Sequence, residues 1–453
     1  MKKSYFLTLP LLLSFLIASC SKSNVPPPTP LKEKAPKQVH VKVKWKKSTG
    51  NGDNGLGNYN LAPTYSDDIA FVPNENGMVY ALSMKDGGVI WKKDTNSSLT
   101  SEPNTIANAV IFGSMKGRLT ALDNKTGKTL WLSKTPSSLF AQPTIYNNSI
   151  YTHTHDGSVA AFDAKDGSKE WSASNNIPEL TLPGNSSPIV LNDTVMIGSA
   201  FGTVLGFTVE NGDKTINIPI AIAHGSSPAD KMVDITANPM LYHRYLIFAA
   251  FQGAIVALDK DTGKMLWAKK ASIISNMAID NNVIFTTQAD SELKAYNIQN
   301  GETVWTQDTL KWRKITGPIY YKGLIVVADY QGYLHFFSSL NGEYLGRYKL
   351  TSTPTLFPST GISAQLVPTK QGILVEAKDG TAYLVDAYSD KVIYDSILGD
   401  YRVDKGESIK HIDSSIKPAT VAKTNKKSKK VDTKDLKVNI IIGDFSKGKS
   451  TNV

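Results

Sequence analysis

Short runs of alternating apolar and polar residues recur along this chain, each followed by a tight turn and a second run that ends on a large aromatic. The clearest copies are Leu119-Thr-Ala-Leu-Asp-Asn-Lys-Thr-Gly-Lys-Thr-Leu-Trp131, Val159-Ala-Ala-Phe-Asp-Ala-Lys-Asp-Gly-Ser-Lys-Glu-Trp171 and Ile255-Val-Ala-Leu-Asp-Lys-Asp-Thr-Gly-Lys-Met-Leu-Trp267. Related copies run from Val79 to Trp91 and from Leu293 to Trp305, with weaker ones from Val204 and Tyr333. The turn glycines Gly87, Gly127, Gly167, Gly212, Gly263, Gly301 and Gly342 lie 40, 40, 45, 51, 38 and 41 residues apart. A degenerate eighth copy spans Gly380 to Tyr394, with Ser389-Asp390 in place of the glycine. A period of two on both sides of a turn predicts a β-hairpin. The Asp at the fifth position accepts hydrogen bonds from the backbone ahead of it, and the Gly supplies the positive φ of a short hairpin loop.

Each hairpin is preceded by another pair of short β-rich runs, such as Gln142-Pro-Thr-Ile-Tyr and Ser149-Ile-Tyr-Thr-His. Four strands per forty-odd residues make the blade of a β-propeller, and the 3.6-residue period of helical repeats is missing. The prediction is an all-β, eight-bladed propeller over residues 41–400 with four antiparallel strands per blade. A Trp recurring once per unit is expected to pack blade against blade. Trp45, in the strand-like run Val41-Lys-Val-Lys-Trp-Lys, has no hairpin before it, and the eighth copy has no Trp after its turn. The N-terminal strand is therefore expected to complete the last blade, which removes an open sheet edge.

Residues 1–19, with two lysines and the apolar run from Tyr5 to Ile17, read as a secretory signal too short to span a bilayer. Ile17-Ala-Ser-Cys20 resembles the lipobox of bacterial lipoproteins, which implies lipidation of Cys20, the only cysteine in the chain. Ser21, rather than Asp, implies the outer membrane by the sorting rule of enteric lipoproteins. Residues 20–40, rich in Pro and Lys, read as lipid anchor and extended tether. Residues 401–453 read as a Lys-rich, mostly disordered extension peaking at Lys426-Lys-Ser-Lys-Lys430. Of the net charge of +10, residues 1–20 carry +2, residues 21–44 carry +5 and residues 401–453 carry +7, which leaves −4 on residues 45–400. A nucleic-acid-binding propeller is thereby disfavoured; the basic tails suit either anionic lipid or plain solvation.

Candidate chemistry is sparse. The turns offer too few carboxylates for a calcium loop. His153-Thr-His155-Asp156 sets two imidazoles on one strand face, but zinc needs further ligands that no other His or Cys cluster supplies, so ordinary strand-surface histidines are expected. Neither a nucleophile elbow, a P-loop nor a dinucleotide fingerprint is found, and no cofactor or metal is expected. A propeller is a scaffold, so function falls to what departs from the repeat. The two longest intervals hold Ile177-Pro-Glu-Leu-Thr-Leu-Pro-Gly-Asn-Ser-Ser-Pro188 and Ala223-His-Gly-Ser-Ser-Pro-Ala-Asp-Lys-Met-Val-Asp-Ile-Thr-Ala-Asn-Pro239. Both fall between the outer strand of one blade and the inner strand of the next, so the two loops are expected side by side on one face. Leu180 and Leu182, with no blade to fill, either fold over the channel or meet a partner. A third long interval, near Ser352 to Ala364, has the same two readings.

Over about residues 41 to 387 the chain resembles the BamB family, lipoproteins of the outer-membrane β-barrel assembly machinery. The resemblance is carried by Leu180-Thr-Leu-Pro-Gly-Asn-Ser-Ser-Pro188, Asp230-Lys-Met-Val-Asp-Ile-Thr-Ala-Asn-Pro239, Val327-Ala-Asp-Tyr-Gln-Gly-Tyr-Leu-His335 and Glu376-Ala-Lys-Asp-Gly-Thr-Ala-Tyr383. It implies a non-enzymatic scaffold at the periplasmic face of the outer membrane that binds the POTRA domains of BamA and assists unfolded barrel precursors, with the other lipoproteins of the complex reached indirectly. The family's Leu-x-Leu-Arg and Asp-x-Asp partner segments map to Leu180, Leu182 and Pro183, and to Asp234 and Thr236. Pro183 and Thr236 depart from that pattern by one charge of each sign, which implies a less ionic interface. The repeats alone are shared with pyrroloquinoline-quinone dehydrogenases, so a quinoprotein is the enzymatic alternative. One cysteine cannot form the vicinal disulfide those enzymes typically place against the quinone. An envelope-anchored propeller with another periplasmic partner is the third reading.

Overall fold

In the structure, a computed structural model, residues 25–50, 61–351, 361–395 and 400–403 are described. The signal segment, Cys20, the interval 352–360 and the extension from 404 onward lie outside them. The described residues form eight four-stranded antiparallel sheets and one two-stranded sheet, with no helix. Each blade is a meander: blade 1 comprises Thr64–Ser66, Ile69–Pro73, Met78–Ser83 and Val89–Asp94 from inside to outside. The short first strands of neighbouring blades adjoin one another, which sets them around the propeller axis. Blade 8 comprises Val367–Thr369, Gly372–Glu376 and Thr381–Tyr388, and its outer strand is His40–Ser48 from the other end of the chain. The ring thus closes as the sequence predicts. The second strand of the eighth copy, Val392–Asp395, pairs instead with Asp400–Val403 as a separate ribbon.

The repeated phrase encodes both the turn and the seam. In the blade 2 hairpin, Asp123 Oδ1 accepts the N–H groups of Lys125 and Thr126 at 3.2 and 2.8 Å, and Gly127 takes φ 69°. One residue before each Trp the outer strand bulges: Trp91 pairs with Ala81 but Val89 with Leu82, so the intervening Ile90 points to solvent and the indole turns toward the next blade. There Trp91 lies against the turn glycine Gly127, where a Cβ would come within 2.7 Å of the ring, and its N–H donates to Asn124 O at 2.9 Å. The same bond is made by Trp45, Trp131, Trp171, Trp267 and Trp305, each to a turn carbonyl of the following blade. At the seam between blades 4 and 5 the equivalent residue is Ile216.

Blade 7 has Gly346 where the Trp would stand, and the chain's own N-terminal segment fills the space. Lys37 bridges to Gly346, Gln38 N–H donates to Leu345 O at 3.1 Å, and Leu31 packs on the core between blades 6 and 7. Further out, Thr29 N–H donates to Lys311 O at 3.0 Å, while Arg313 Nη1 and Arg347 Nη2 donate to Thr29 O and Lys32 O at 3.0 and 2.7 Å. Arg313 is itself buried and paired with Asp329, whose carboxylate also meets His335 Nε2 at 3.1 Å. Burial pushes the Asp329 carboxyl up, but the His335 and Arg313 contacts outweigh it and hold the group below the usual carboxylate range.

Candidate partner interface

In a meander, the loops from outer to next inner strand share a face with those between the second and third strands. The two long loops, 174–188 and 220–239, therefore open on the same face at adjacent seams, and they touch. Leu182 N–H donates to Asp234 Oδ1 at 3.0 Å, and Ser187 N–H donates to Asn238 Oδ1 at 2.8 Å. Asn238 N–H in turn donates to Asn276 Oδ1 at 3.0 Å in the loop of the next blade. Side-chain amides thus stitch successive loops together where regular strand pairing has ended.

Leu180 stands 43% exposed at the crest of the first loop, Pro183 is exposed and Leu182 is half-buried. Asp234 points inward. It is 2% exposed, it anchors the Leu182 amide, and its Oδ2 has no hydrogen-bond partner among the described residues. Burial pushes its carboxyl up to about 6, against the Leu182 N–H, which favours the anion. Thr236, half-buried, donates its hydroxyl to Ile274 O at 2.9 Å. Leu180 and Pro183 are thus exposed, Leu182 and Thr236 are half-buried, and Asp234 braces the loop from within.

The histidine pair departs from expectation. His153 is buried rather than on a strand surface, and His155 lies in the turn beyond the strand. His153 Nδ1 sits 3.0 Å from Ser186 O, and its Nε2 3.4 Å from Asn185 Nδ2, so the imidazole ties the Leu180 loop to blade 3. Burial lowers its pKa to about 4, and the ring is neutral at physiological pH. His155, Thr181, Asn185, Asp234 and Thr236 line a small recess beneath the loop. Asp329 and His335, two residues of the resembling segments, belong instead to the buried network under the N-terminal segment.

Sequence reasoning missed the apolar company of Leu180. Ile177, Phe201, Ile222 and Ile274 are exposed on the same face, Phe201 the most at 50%. Phe201 had a partial signal: its turn, Ser199-Ala-Phe-Gly202, is apolar where Asn74-Glu-Asn-Gly77 and Thr154-His-Asp-Gly157 are polar, although Ala250-Phe-Gln-Gly253 carries a Phe as well. The face over blades 3 to 6 is thus an arc of apolar side chains on loops braced by hydrogen bonds, the composition of a protein-docking surface.

The family profile described as outer membrane protein assembly factor BamB matches residues 75–307 and 252–357. The chain belongs to the BamB family. A Francisella tularensis member is 75% identical over 99% of this chain and all of its own length. The Escherichia coli K12 member is 31% identical over 75% of this chain and 88% of its own. Among solved structures, BamB from Moraxella catarrhalis aligns with a TM-score of 0.68 at 20% identity, over 77% of this chain and 100% of that one. A quinohemoprotein alcohol dehydrogenase from Comamonas testosteroni aligns with a TM-score of 0.59 at 14% identity, over 77% and 76% of the two chains. The likeness to that enzyme shows a shared propeller fold and nothing of its chemistry.

Proposed function

We propose that this chain is a non-enzymatic, lipid-anchored scaffold on the periplasmic face of the outer membrane. In it, the Leu180 loop docks on the POTRA domains of BamA during assembly of outer-membrane β-barrel proteins. Family membership supports the assembly role, and the Cys20 lipobox supports the anchor. The observation that carries the docking site is the exposed Leu180 on a loop fixed from below by Asp234 and His153. A docking loop held in one conformation loses little entropy on binding. Leu180, Leu182 and Pro183 supply the contact, and Asp234 and Thr236 supply its geometry. Contacts with the other lipoproteins of the complex run through BamA, and barrel precursors are delivered to the assembly rather than transformed by it.

Leu180→Glu combined with Leu182→Glu tests the site. A carboxylate forced into an apolar partner pocket costs several kcal/mol, on the order of 3 or more when unpaired. The double variant is expected to keep its propeller, read by circular dichroism, and to lose co-purification with BamA. Undiminished recovery of BamA would sink the assignment. The quinoprotein alternative makes the opposite demand: added quinone and Ca²⁺ would have to give the purified protein a cofactor absorbance band.

A further inference from the structure

The N-terminal segment that lies on the edge of blades 7 and 8 is rich in lysine. The N-terminal segment runs along blade 7 through the hydrogen bonds of Thr29, Lys32 and Gln38 and then becomes the outer strand of blade 8. From this fixed path Lys32, Lys34, Lys37, Lys42 and Lys46 stand exposed, and none forms an ion pair with a described residue. Glu33 is the one acid between residues 25 and 46. Lys44 and His40 differ, meeting Asp386 and Asp390 at 3.8 and 2.7 Å. Residues 45–400 as a whole carry −4, so a row of five unneutralised lysines is a local departure.

We propose that this edge is a membrane-facing surface that binds the phosphates of an anionic phospholipid leaflet. Lysine clusters next to an anchor gain affinity from anionic headgroups, and the gain fades within a Debye length of about 8 Å at physiological salt. For proximity the proposal rests on the reading of Cys20 as the lipidated residue. Thr29 is nine residues from Cys20, so at roughly 3.6 Å per residue the start of the docked segment stays within about 32 Å of the bilayer surface. The Leu180 loop emerges between blades 3 and 4, away from this edge, so a membrane-bound edge leaves the docking face open.

The test uses the mature lipidated chain with vesicles of phosphatidylcholine alone, or with about a third phosphatidylglycerol. A photo-crosslinking residue replaces exposed Ser48 on this edge or exposed Ser172 on the outer strand of blade 3. Lipid labelling from position 48 is expected to exceed that from position 172 by about fivefold or more in anionic vesicles, the factor of one lysine contact or better. The excess is expected to vanish at high salt and in the Lys34→Gln, Lys42→Gln, Lys46→Gln variant. Equal labelling from both positions overturns the proposal. So does an excess that survives those substitutions but is lost when Lys426, Lys427, Lys429 and Lys430 are changed to Gln. Failure to sediment with phosphatidylcholine vesicles counts against the anchor instead; sedimentation with anionic vesicles, sensitive to the Lys34, Lys42 and Lys46 changes, then decides the edge.

Discussion

Trp45→Ala removes the side chain that seals the ring between its last and first blades. Trp45 is 6% exposed and packs among Ala70, Val72, Leu82 and Met84 of blade 1 and Leu374, Ala382 and Leu384 of blade 8. Truncating a buried Trp to Ala costs about 3–5 kcal/mol. Its indole N–H also donates to Met84 O at 2.9 Å, and losing that bond at a buried seam adds about 1 kcal/mol. The sum, about 4–6 kcal/mol, is a large part of the ~5–15 kcal/mol that holds a folded domain together. Trp45→Phe keeps most of the apolar contact and forfeits the hydrogen bond, for about 1–2 kcal/mol. The assay is guanidinium unfolding of the mature protein, followed by circular dichroism and fluorescence so that coincident transitions license a single free energy. A Trp45→Ala midpoint equivalent to less than about 1 kcal/mol of destabilisation would show that the N-terminal strand does not seal the propeller.

Three further outcomes follow from other parts of the molecule. Asp234 ionises near 3.8 in the unfolded chain and at about 6 when folded, so the folded state keeps a proton the unfolded state has lost, and stability falls as pH rises between those values. Asp234→Asn, which retains an acceptor for the Leu182 amide, is expected to raise Tm by ~2–4 °C above pH 7 and to differ least from the parent near pH 4; a constant difference across that range refutes the burial argument. His153→Leu strips the Leu180 loop of its tie to Ser186 and Asn185, at about 1–3 kcal/mol; proteolysis within 177–186 should speed up and, under the proposed function, recovery of BamA should fall although His153 is buried. Gly346→Ala sets a Cβ 2.7 Å from Pro36 O at a φ of 151°; the expected result is faster cleavage within residues 25–38 with the blades themselves intact.

The propeller was legible because its seams are written into the sequence once per blade. A Trp directly after a bulge and a Gly in the facing turn form a matched pair, so Trp45, stranded without a hairpin, disclosed the closure. Legibility fails where the pairing is made by unlike residues. Ile216 and Gly346 hold the Trp position without resembling it, and nothing in Pro36, Lys37 or Gln38 announces that they fill the gap at Gly346. At the candidate interface, Leu180 and Leu182 were readable as residues with no blade to fill, and Leu180 is exposed. The inward turn of Asp234 was not, because a carboxylate's choice between solvent and a backbone amide 52 residues away depends on how two loops meet. His153 escaped for the same reason: period two assigns a strand face, but in a propeller both faces of a blade can be interior.

Pairing His40–Ser48 with Thr381–Tyr388 joins residues more than 330 positions apart. The outer strand of blade 8 is made early in translation, yet the strand it pairs with is made among the last of the described strands. During that interval seven blades can assemble by local contacts while the first strand waits as an unpaired edge, and the final closure carries the largest loop entropy in the molecule. A chain cut short before Thr381 leaves that edge open and cannot form the seam at Trp45. Closure therefore acts as a length check: only a chain that reaches Tyr388 can pair His40–Ser48, and a shorter one leaves that strand and Trp45 without their blade.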